Sequence, residues 1–437
     1  MKVLKFGGTS VGTAERIKKV ASLIMGRGCN LVVLSAMSGT TNTLVSVSGC
    51  LYGNDSRSAN DIIDGLRRKY AAIIDELYAT DESKHKAVGA IEDCFATITA
   101  HFNTPLDERG EKRILAQGEL MSTALMYYYL RESGCNVAMI PALEYMRVDA
   151  NEEPDTLYIK SNLTRLIDEN KGADLYLTQG YICLNARGEV DNLRRGGSDY
   201  TASLAGCAIN AEEVEIWTDI DGMHNNDPRF VPNTRPVNEL HFDEAAELAY
   251  FGAKILHPTC ILPARENNLP VRLLNTMQPE AKGTLIYNTP KTHTIKAVAA
   301  KDNITAIKIK SGRMLLAHGF MRKVFEIFDN YRTSVDMVAT SEVGVSVTVD
   351  NHRYLENIVD DLSKLGDVTV DRDMVIICVV GDLEWQNCGF ESRALDALRD
   401  VPVRMISYGG SNFNISFLVK KEDKVRALNQ LSRHLFG

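Results

Sequence analysis

Residues 3–35 restrict the chain to one kind of architecture. Val3-Leu4-Lys5-Phe6 reads as a short buried strand that stops at Gly7-Gly8, and a helical run after Thr13 gathers Ile17, Val20, Ala21 and Ile24 on one face. Residues 30–35 (Asn-Leu-Val-Val-Leu-Ser) then return as a second buried strand. Two strands joined by about twenty helical residues make a crossover unit, which requires parallel pairing and sets ligands at the carboxyl ends of the strands. The predicted class is therefore α/β with a parallel sheet. Gly7-Gly8 offers no Cβ, so backbone N–H groups can close around an anion such as phosphate, with the helix dipole and Lys5 adding positive potential. A plain tight turn between strand and helix fits the same residues. No Gly-x-x-x-x-Gly-Lys-Ser/Thr string occurs, so this is not a Walker loop. Ser35, Thr40 and Thr41 follow the second strand and come beside the glycine pair.

A chain of 437 residues calls for two to four domains at the usual size of roughly 100 to 200 residues each. Its 45% hydrophobic and 24% charged residues are ordinary for packed domains and exclude disorder. A net charge of −8 with no long Lys/Arg block speaks against nucleic acid as a partner, while leaving room for small anions in local sites. The nine cysteines are scattered without Cys-x-x-Cys spacing, the pattern of reduced thiols, so the expectation is a cytoplasmic protein without structural zinc. The amino terminus enters the first strand directly and no run of 18 apolar residues follows, so neither secretion nor a membrane span is expected.

Residues 60–101 predict two long helices. Gln117-Gly118-Glu119-Leu120-Met121-Ser122 is read at the start of a helix running to 132, where Glu119 either caps the first turn or receives an ammonium group. Strands follow at 136–140 and at 175–178, the latter leading to Gly180-Tyr181. The richest string is Arg194-Arg195-Gly196-Gly197-Ser198-Asp199-Tyr200-Thr201, opening onto a helix at 202–210, with a strand at 213–217 that ends in Thr218-Asp219. Arginines, glycines and a hydroxyl before a helix make a second anion cradle. Asp199 inside it is repelled by phosphate unless a cation intervenes, which points to phosphate handled with magnesium; the alternative is a capping aspartate beside exposed arginines. Asn226-Asp227-Pro228-Arg229 is a loop, and 242–251 an amphipathic helix leading to Gly252-Ala253-Lys254-Ile255-Leu256-His257-Pro258. Lys254 is either a solvated lysine or a phosphate ligand, and His257 reads as structural. Strands at 270–274 and 283–286 close the first domain, 1–290.

Beyond Pro290 the pattern changes. Strands are predicted at 294–302 and 304–310, a helix at 319–329, strands at 334–340 and 343–349, a helix at 354–365 and a strand at 367–371. A second round follows from 374 to 437. Two βαββαβ copies of about seventy residues form an internal repeat, each a ferredoxin-like unit. The second copy is one strand short, and the strand at 294–299 can supply it. The resulting boundaries are 303–373 for the first copy, inserted inside a second made of 294–302 plus 374–437.

With these strings in view, the chain resembles the aspartokinases, in which an amino-acid-kinase sandwich is joined to two ACT modules, over nearly its whole length. Lys5-Phe6-Gly7-Gly8-Thr9-Ser10, Gly118-Glu119, Arg195-Gly196-Gly197-Ser198-Asp199, Trp217-Thr218-Asp219, Asp227-Pro228-Arg229 and Lys254-Ile255-Leu256-His257 occur in the family's order. The resemblance implies phosphoryl transfer from ATP with Mg2+ to the β-carboxylate of L-aspartate, the first step toward lysine, threonine and methionine. It implies Lys5 and Asp199 as catalytic residues, with Thr41, Glu119 and Arg195 holding aspartate. For the nucleotide it implies Lys5, Gly7, Gly8, Ser10, Gly196, Gly197, Ser198, Thr218, Asp219, His224, Asp227, Arg229, Lys254 and Ile255. No protein metal cage is implied, since Mg2+ is held mainly through the phosphates.

In the repeat half, Met314, Ala317, Phe320, Met321, Ser334, Val335, Asp336, Ser341 and Glu342 resemble the lysine-binding segment of lysine-inhibited members. The resemblance further implies a homodimer through the ACT modules, or a tetramer. Three positions depart from the family pattern: Arg194 where glycine is usual, His224 where an aromatic residue is usual, and Ala317 in place of a serine. Competing readings are an amino-acid kinase acting on glutamate, a nucleoside monophosphate or carbamate, a catalytically silent amino-acid sensor, and ACT modules that serve dimer contacts alone.

Overall fold

The computed structural model describes residues 1–193, 196–252, 258–290, 293–312 and 318–437. They form two compact units, Met1–Met223 with Ile255–Thr289, and His224–Lys254 with Pro290–Gly437. The sequence division at 290 assigns residues 224–252 to the first domain, whereas by packing they go with the second unit. Their anchors are specific: the Val298 N–H donates to the Asn225 carbonyl, the Asn226 amide donates to the Leu428 carbonyl, and Val231 enters an apolar core with Val375 and Phe417.

In the first unit seven strands lie side by side in the order Val137–Met139, Leu175–Gln179, Leu31–Leu34, Val3–Phe6, Val214–Thr218, Val271–Asn275 and Thr284–Tyr287. The first six pair in parallel and the last is antiparallel. Every residue of Val3–Phe6 and Leu31–Leu34 is buried, as a parallel sheet covered on both faces requires. Lys5 is the one charged residue in those two strands, and a lysine in such a place needs a partner. Near the amino ends of the strands, Glu215 accepts from Lys2, Arg27 and the Trp217 indole, and toward the carboxyl ends the Trp217 ring stacks on Phe6. That network fixes the two strands whose far ends carry Gly7 and Asp219.

The helix after the first strand is Ala14–Met25, capped by Thr13, whose hydroxyl accepts from the Arg16 N–H. The two long helices are Ser56–Leu77 and Asp81–Thr99. The next helix, Glu108–Glu132, starts well before the predicted position: Asp107 caps it by accepting from the Gly110 N–H at 2.7 Å. Glu119 is therefore in the middle of a helix, and its reading as a first-turn cap is corrected.

The second unit holds a six-stranded antiparallel sheet in the order Val338–Ser341, Gly344–Val349, Ile295–Lys310, Asp367–Gly381, Asn414–Lys420 and Met405–Tyr408. Where the sequence reading has strands at 294–302 and 304–310, the chain runs as a single strand, and so do 367–371 and 374–380. Asn303 and Asp373 adopt φ of 63° and 54°, and the register shifts around 301–306 absorb these irregularities without ending the ladder. Each long strand therefore serves both repeat copies. Two cores result, one with Ile307, Val324, Val347 and Ile358, the other with Val375, Phe417, Leu428 and Leu431. Among the described residues no helix is long and apolar enough to cross a membrane.

Candidate active site

The carboxyl ends of the parallel strands in the first unit open into a cavity of about 530 Å³. Its walls come from turns that follow four strands: Gly8 and Thr9 after the first, Ser35 to Gly39 with Thr41 and Asn42 after the second, Tyr181 after Leu175–Gln179, and Asp219 after Val214–Thr218. Gly196 to Asp199 and Glu119 complete it. Gly8 is required there by a close approach. A Cβ at that position would lie 2.6 Å from the Ala36 carbonyl oxygen, and the Ser38 N–H donates to the Gly8 carbonyl at 3.0 Å. Gly7 is under no such restraint, and its position borders the Lys5 ammonium at ordinary contact distance.

Lys5 reaches across the cavity floor to Asp199, Nζ to Oδ1 2.5 Å, with both side chains largely buried. The contact is a charge-assisted ion pair, and an ammonium with three donors keeps others for further acceptors. Asp199 stands in the first turn of the helix Gly197–Ala208, which begins five residues ahead of the predicted start at 202. Gly196 supplies the left-handed cap, φ 78°, and an acid in the first turn suits the helix dipole. The turn after Leu175–Gln179 approaches this helix start closely, since a Cβ on Gly180 would meet Ser198 at 2.5 Å and one on Gly197 would meet the Tyr181 ring at 2.4 Å.

Glu119 is 3% exposed, and its Oε1 accepts from the Ala36 N–H at 3.1 Å. Oε2 is buried with no partner. Burial pushes the carboxyl up to about 8, although the Ala36 N–H and the Lys5 charge pull the other way. A buried acid with one unanswered oxygen on a cavity wall is suited to a cationic ligand.

Of the site residues expected from sequence, Lys5, Gly8, Thr41, Glu119, Gly196, Gly197, Ser198, Asp199, Thr218 and Asp219 line this one cavity. Ser10 does not line it: its hydroxyl is buried and bonded to Thr276 at 2.7 Å. Arg195, Lys254, Ile255, Met314 and Ala317 lie outside the described residues. His224, Asp227 and Arg229 belong to the second unit, where the Arg229 guanidinium is held bidentately by Asp227 and His224 contacts the Thr234 hydroxyl. Tyr181 is a lining residue that the sequence reading passed over. It has φ of 67°, rare for a tyrosine, and its N–H donates to the Thr201 hydroxyl. Nothing in the residue type signals that backbone. Thr9, Ser38 and Asn42 line the cavity as well, and their neighbours in the quoted strings were the signal for them.

Within the second unit, Phe320 is a core side chain of the helix Phe320–Asn330, with Met321 packed beside it. Val335 also packs on that core, while Ser341 and Glu342 are exposed at a hairpin. Asp336 is buried and already engaged: Lys301 Nζ lies 2.7 Å and the Tyr250 hydroxyl 3.0 Å from its Oδ1. Lys301 also meets Asp350 at 2.9 Å and sits over the Tyr250 ring.

A parallel-sheet kinase-like cavity followed by a repeat-built antiparallel sheet agrees with the family comparisons. The amino acid kinase family matches residues 1–275, and an ACT domain matches residues 377–435. The lysine-sensitive aspartokinase 3 of Escherichia coli (strain K12) is 33% identical over 99% of this chain and 99% of its own length. The crystal structure of E. coli aspartokinase III in complex with aspartate and ADP superposes with a TM-score of 0.86 at 32% identity, covering 100% of both chains. The complex of that enzyme with lysine and aspartate gives 0.82, also at 32% identity and 100% of both chains. The chain belongs to the aspartokinase family.

Proposed function

We infer that this chain is an aspartate kinase, transferring the γ-phosphoryl group of ATP to the β-carboxylate of L-aspartate to give 4-phospho-L-aspartate and ADP. The observation that carries the reading is that a buried lysine–aspartate pair and a buried glutamate with a free oxygen face one cavity. The acceptor carboxylate is ionised at neutral pH, so no strong base is needed; alignment and charge neutralisation supply the catalysis. Lys5 and the N–H groups beside Gly8 meet the transferring phosphoryl, and Asp199 orients the lysine. Glu119 Oε2 takes the α-ammonium, Thr41 and Arg195 take carboxylate oxygens, and Thr218 and Asp219 face the nucleotide. Among the described residues no cluster of three or more His, Cys, Asp or Glu side chains is arranged for a metal. Mg2+ fits nonetheless, because it takes one or two carboxylates plus phosphate oxygens and Asp219 stands at the cavity wall. When bound it neutralises phosphate charge. Initial rates of ADP release with aspartate, glutamate and uridine monophosphate test the assignment: turnover confined to aspartate is expected, and turnover with another acceptor alone overturns it.

The ACT sheet supports a regulatory role, with 303–373 inserted in 294–302 plus 374–437; we further propose a homodimer or tetramer built through these modules and, from the scattered cysteines, a cytoplasmic location. Lysine is the proposed inhibitor, and Asp336 its ammonium partner. A ligand ammonium arriving at Asp336 meets a carboxylate already neutralised by Lys301 at Oδ1, with Oδ2 buried and without a partner. Lys301→Met is therefore expected to lower the lysine concentration giving half inhibition, by roughly tenfold, because a buried carboxylate left without its cation favours a new one. Lysine titration of the initial rate checks this, and an unchanged or raised midpoint would remove Asp336 from the lysine site.

A further inference from the structure

The turn that carries Thr41 is pinned from several directions. The Ser122 hydroxyl donates to the Ser35 carbonyl at 2.7 Å, and the Ser38 N–H is taken by Gly8. Gly39 follows with φ of 83° and caps the helix Thr40–Tyr52 without any side-chain bond. The first N–H groups of that helix, at Thr41 and Asn42, thus begin at the cavity wall, where a substrate carboxylate is favoured by the helix end. What holds the outer side of the turn is the helix Ser56–Leu77. Its Lys69 Nζ donates to the Ser38 carbonyl at 2.8 Å, and the next residue, Tyr70, shares a buried hydrogen bond of 3.1 Å with the Thr40 hydroxyl. Lys69 is half-buried, and burial lowers its pKa, so its ammonium is partly desolvated and binds the carbonyl more strongly than a solvated one does.

We propose that Lys69 is a positioning residue for the amino-acid substrate: its ammonium, fixed on the Ser38 carbonyl, sets the angle at which the Gly39–Thr41 turn presents its donors to the aspartate carboxylate. The inference rests on the kinase reading, but its test is separable from it. The Ser38 peptide is bonded at both ends, to Gly8 on the phosphate side and to Lys69 on the outer side. Cutting the outer bond frees the substrate half of the turn and leaves the Gly8 half intact. The charge matters too, because a cation one hydrogen bond from the cavity wall raises the local potential felt by an amino acid that carries two carboxylates and a net negative charge.

The test uses Lys69→Met and Lys69→Arg in the full chain. Lys69→Met is expected to raise the KM for aspartate about tenfold while the KM for ATP stays within about twofold, and Lys69→Arg, which keeps charge and donor, is expected to restore the aspartate KM. Melting temperature is followed in parallel, because a purely structural lysine would lower it and move both KM values together. Wild-type aspartate KM in Lys69→Met, or a joint rise of both KM values, would overturn the proposal. If neither the parent chain nor the variants turn over aspartate, the kinase reading has failed, and not the placement of Lys69.

Discussion

Lys5→Met is expected to cut turnover at saturating aspartate and ATP by about 10² to 10³, because the residue is a preorganised cation aimed where phosphoryl charge must be stabilised. Its setting explains the size. The strand Val3–Phe6 is buried on both sides, the Lys5 side chain is 11% exposed, and its ammonium is held 2.5 Å from Asp199 on the cavity wall. Removing the cation also leaves the Asp199 carboxylate facing the incoming phosphates, so repulsion adds to the lost attraction. The double variant Lys5→Met with Asp199→Asn is therefore expected to lose less than the sum of the two single losses, which is the signature of residues acting as a pair. Lys5→Arg is not expected to rescue, since a planar fork does not reproduce a compact ammonium. Coupled measurement of ADP release at saturating substrates checks all of these, and turnover in Lys5→Met within about threefold of the parent would disprove the role of the pair.

The elements that carried this site were readable where local chemistry and packing agree. A lysine inside an apolar strand that ends in two glycines has few uses, and the structure sets Lys5 opposite Asp199 from a string nearly two hundred residues away. The misread elements are those where one residue type permits two outcomes. Asp107 was an available start signal, but the helix-like residues around Gln117 drew the predicted start inward, and only the full helix Glu108–Glu132 shows that Glu119 is held in mid-helix. Gly196-Gly197 looks like a loop, yet one glycine caps a helix and the other begins it. Asn303 and Asp373 look like strand ends because both favour turns, but a strand with neighbours on each side keeps its ladder through one left-handed residue. Asp336 shows a different limit. Sequence presents it as an open carboxylate for a free amino acid, whereas Lys301, thirty-five residues earlier, meets it across the fold.

Glu119 gives the second large effect, and its sign can be worked out. The carboxyl is pushed up to about 8 by burial, with the Ala36 N–H and Lys5 offsetting part of the shift. In the free enzyme at pH 7 it is therefore mostly protonated, and an α-ammonium group can be received only after the proton leaves. The KM for aspartate should fall as pH rises toward about 8 and level off above it, by close to tenfold per unit below that point, and aspartate binding at pH 7 should release nearly one proton. Glu119→Gln should abolish this slope and raise the KM at pH 8.5 by about 10², because a buried charge-assisted contact is lost. Stability should move the other way. The folded pKa lies above the unfolded value of about 4.3, so the native apoenzyme holds the extra proton between the two values and loses stability as pH climbs through that window. Glu119→Gln keeps the neutral shape and escapes that loss. Its melting temperature should exceed that of the parent at pH 8.5, and the two should converge as pH is lowered toward 5. Calorimetric proton release in two buffers of different ionisation enthalpy, together with melting curves across that range, decides the matter. A flat KM profile in the parent, or a Gln variant that is less stable at high pH, would mean that Glu119 stays ionised in the empty site.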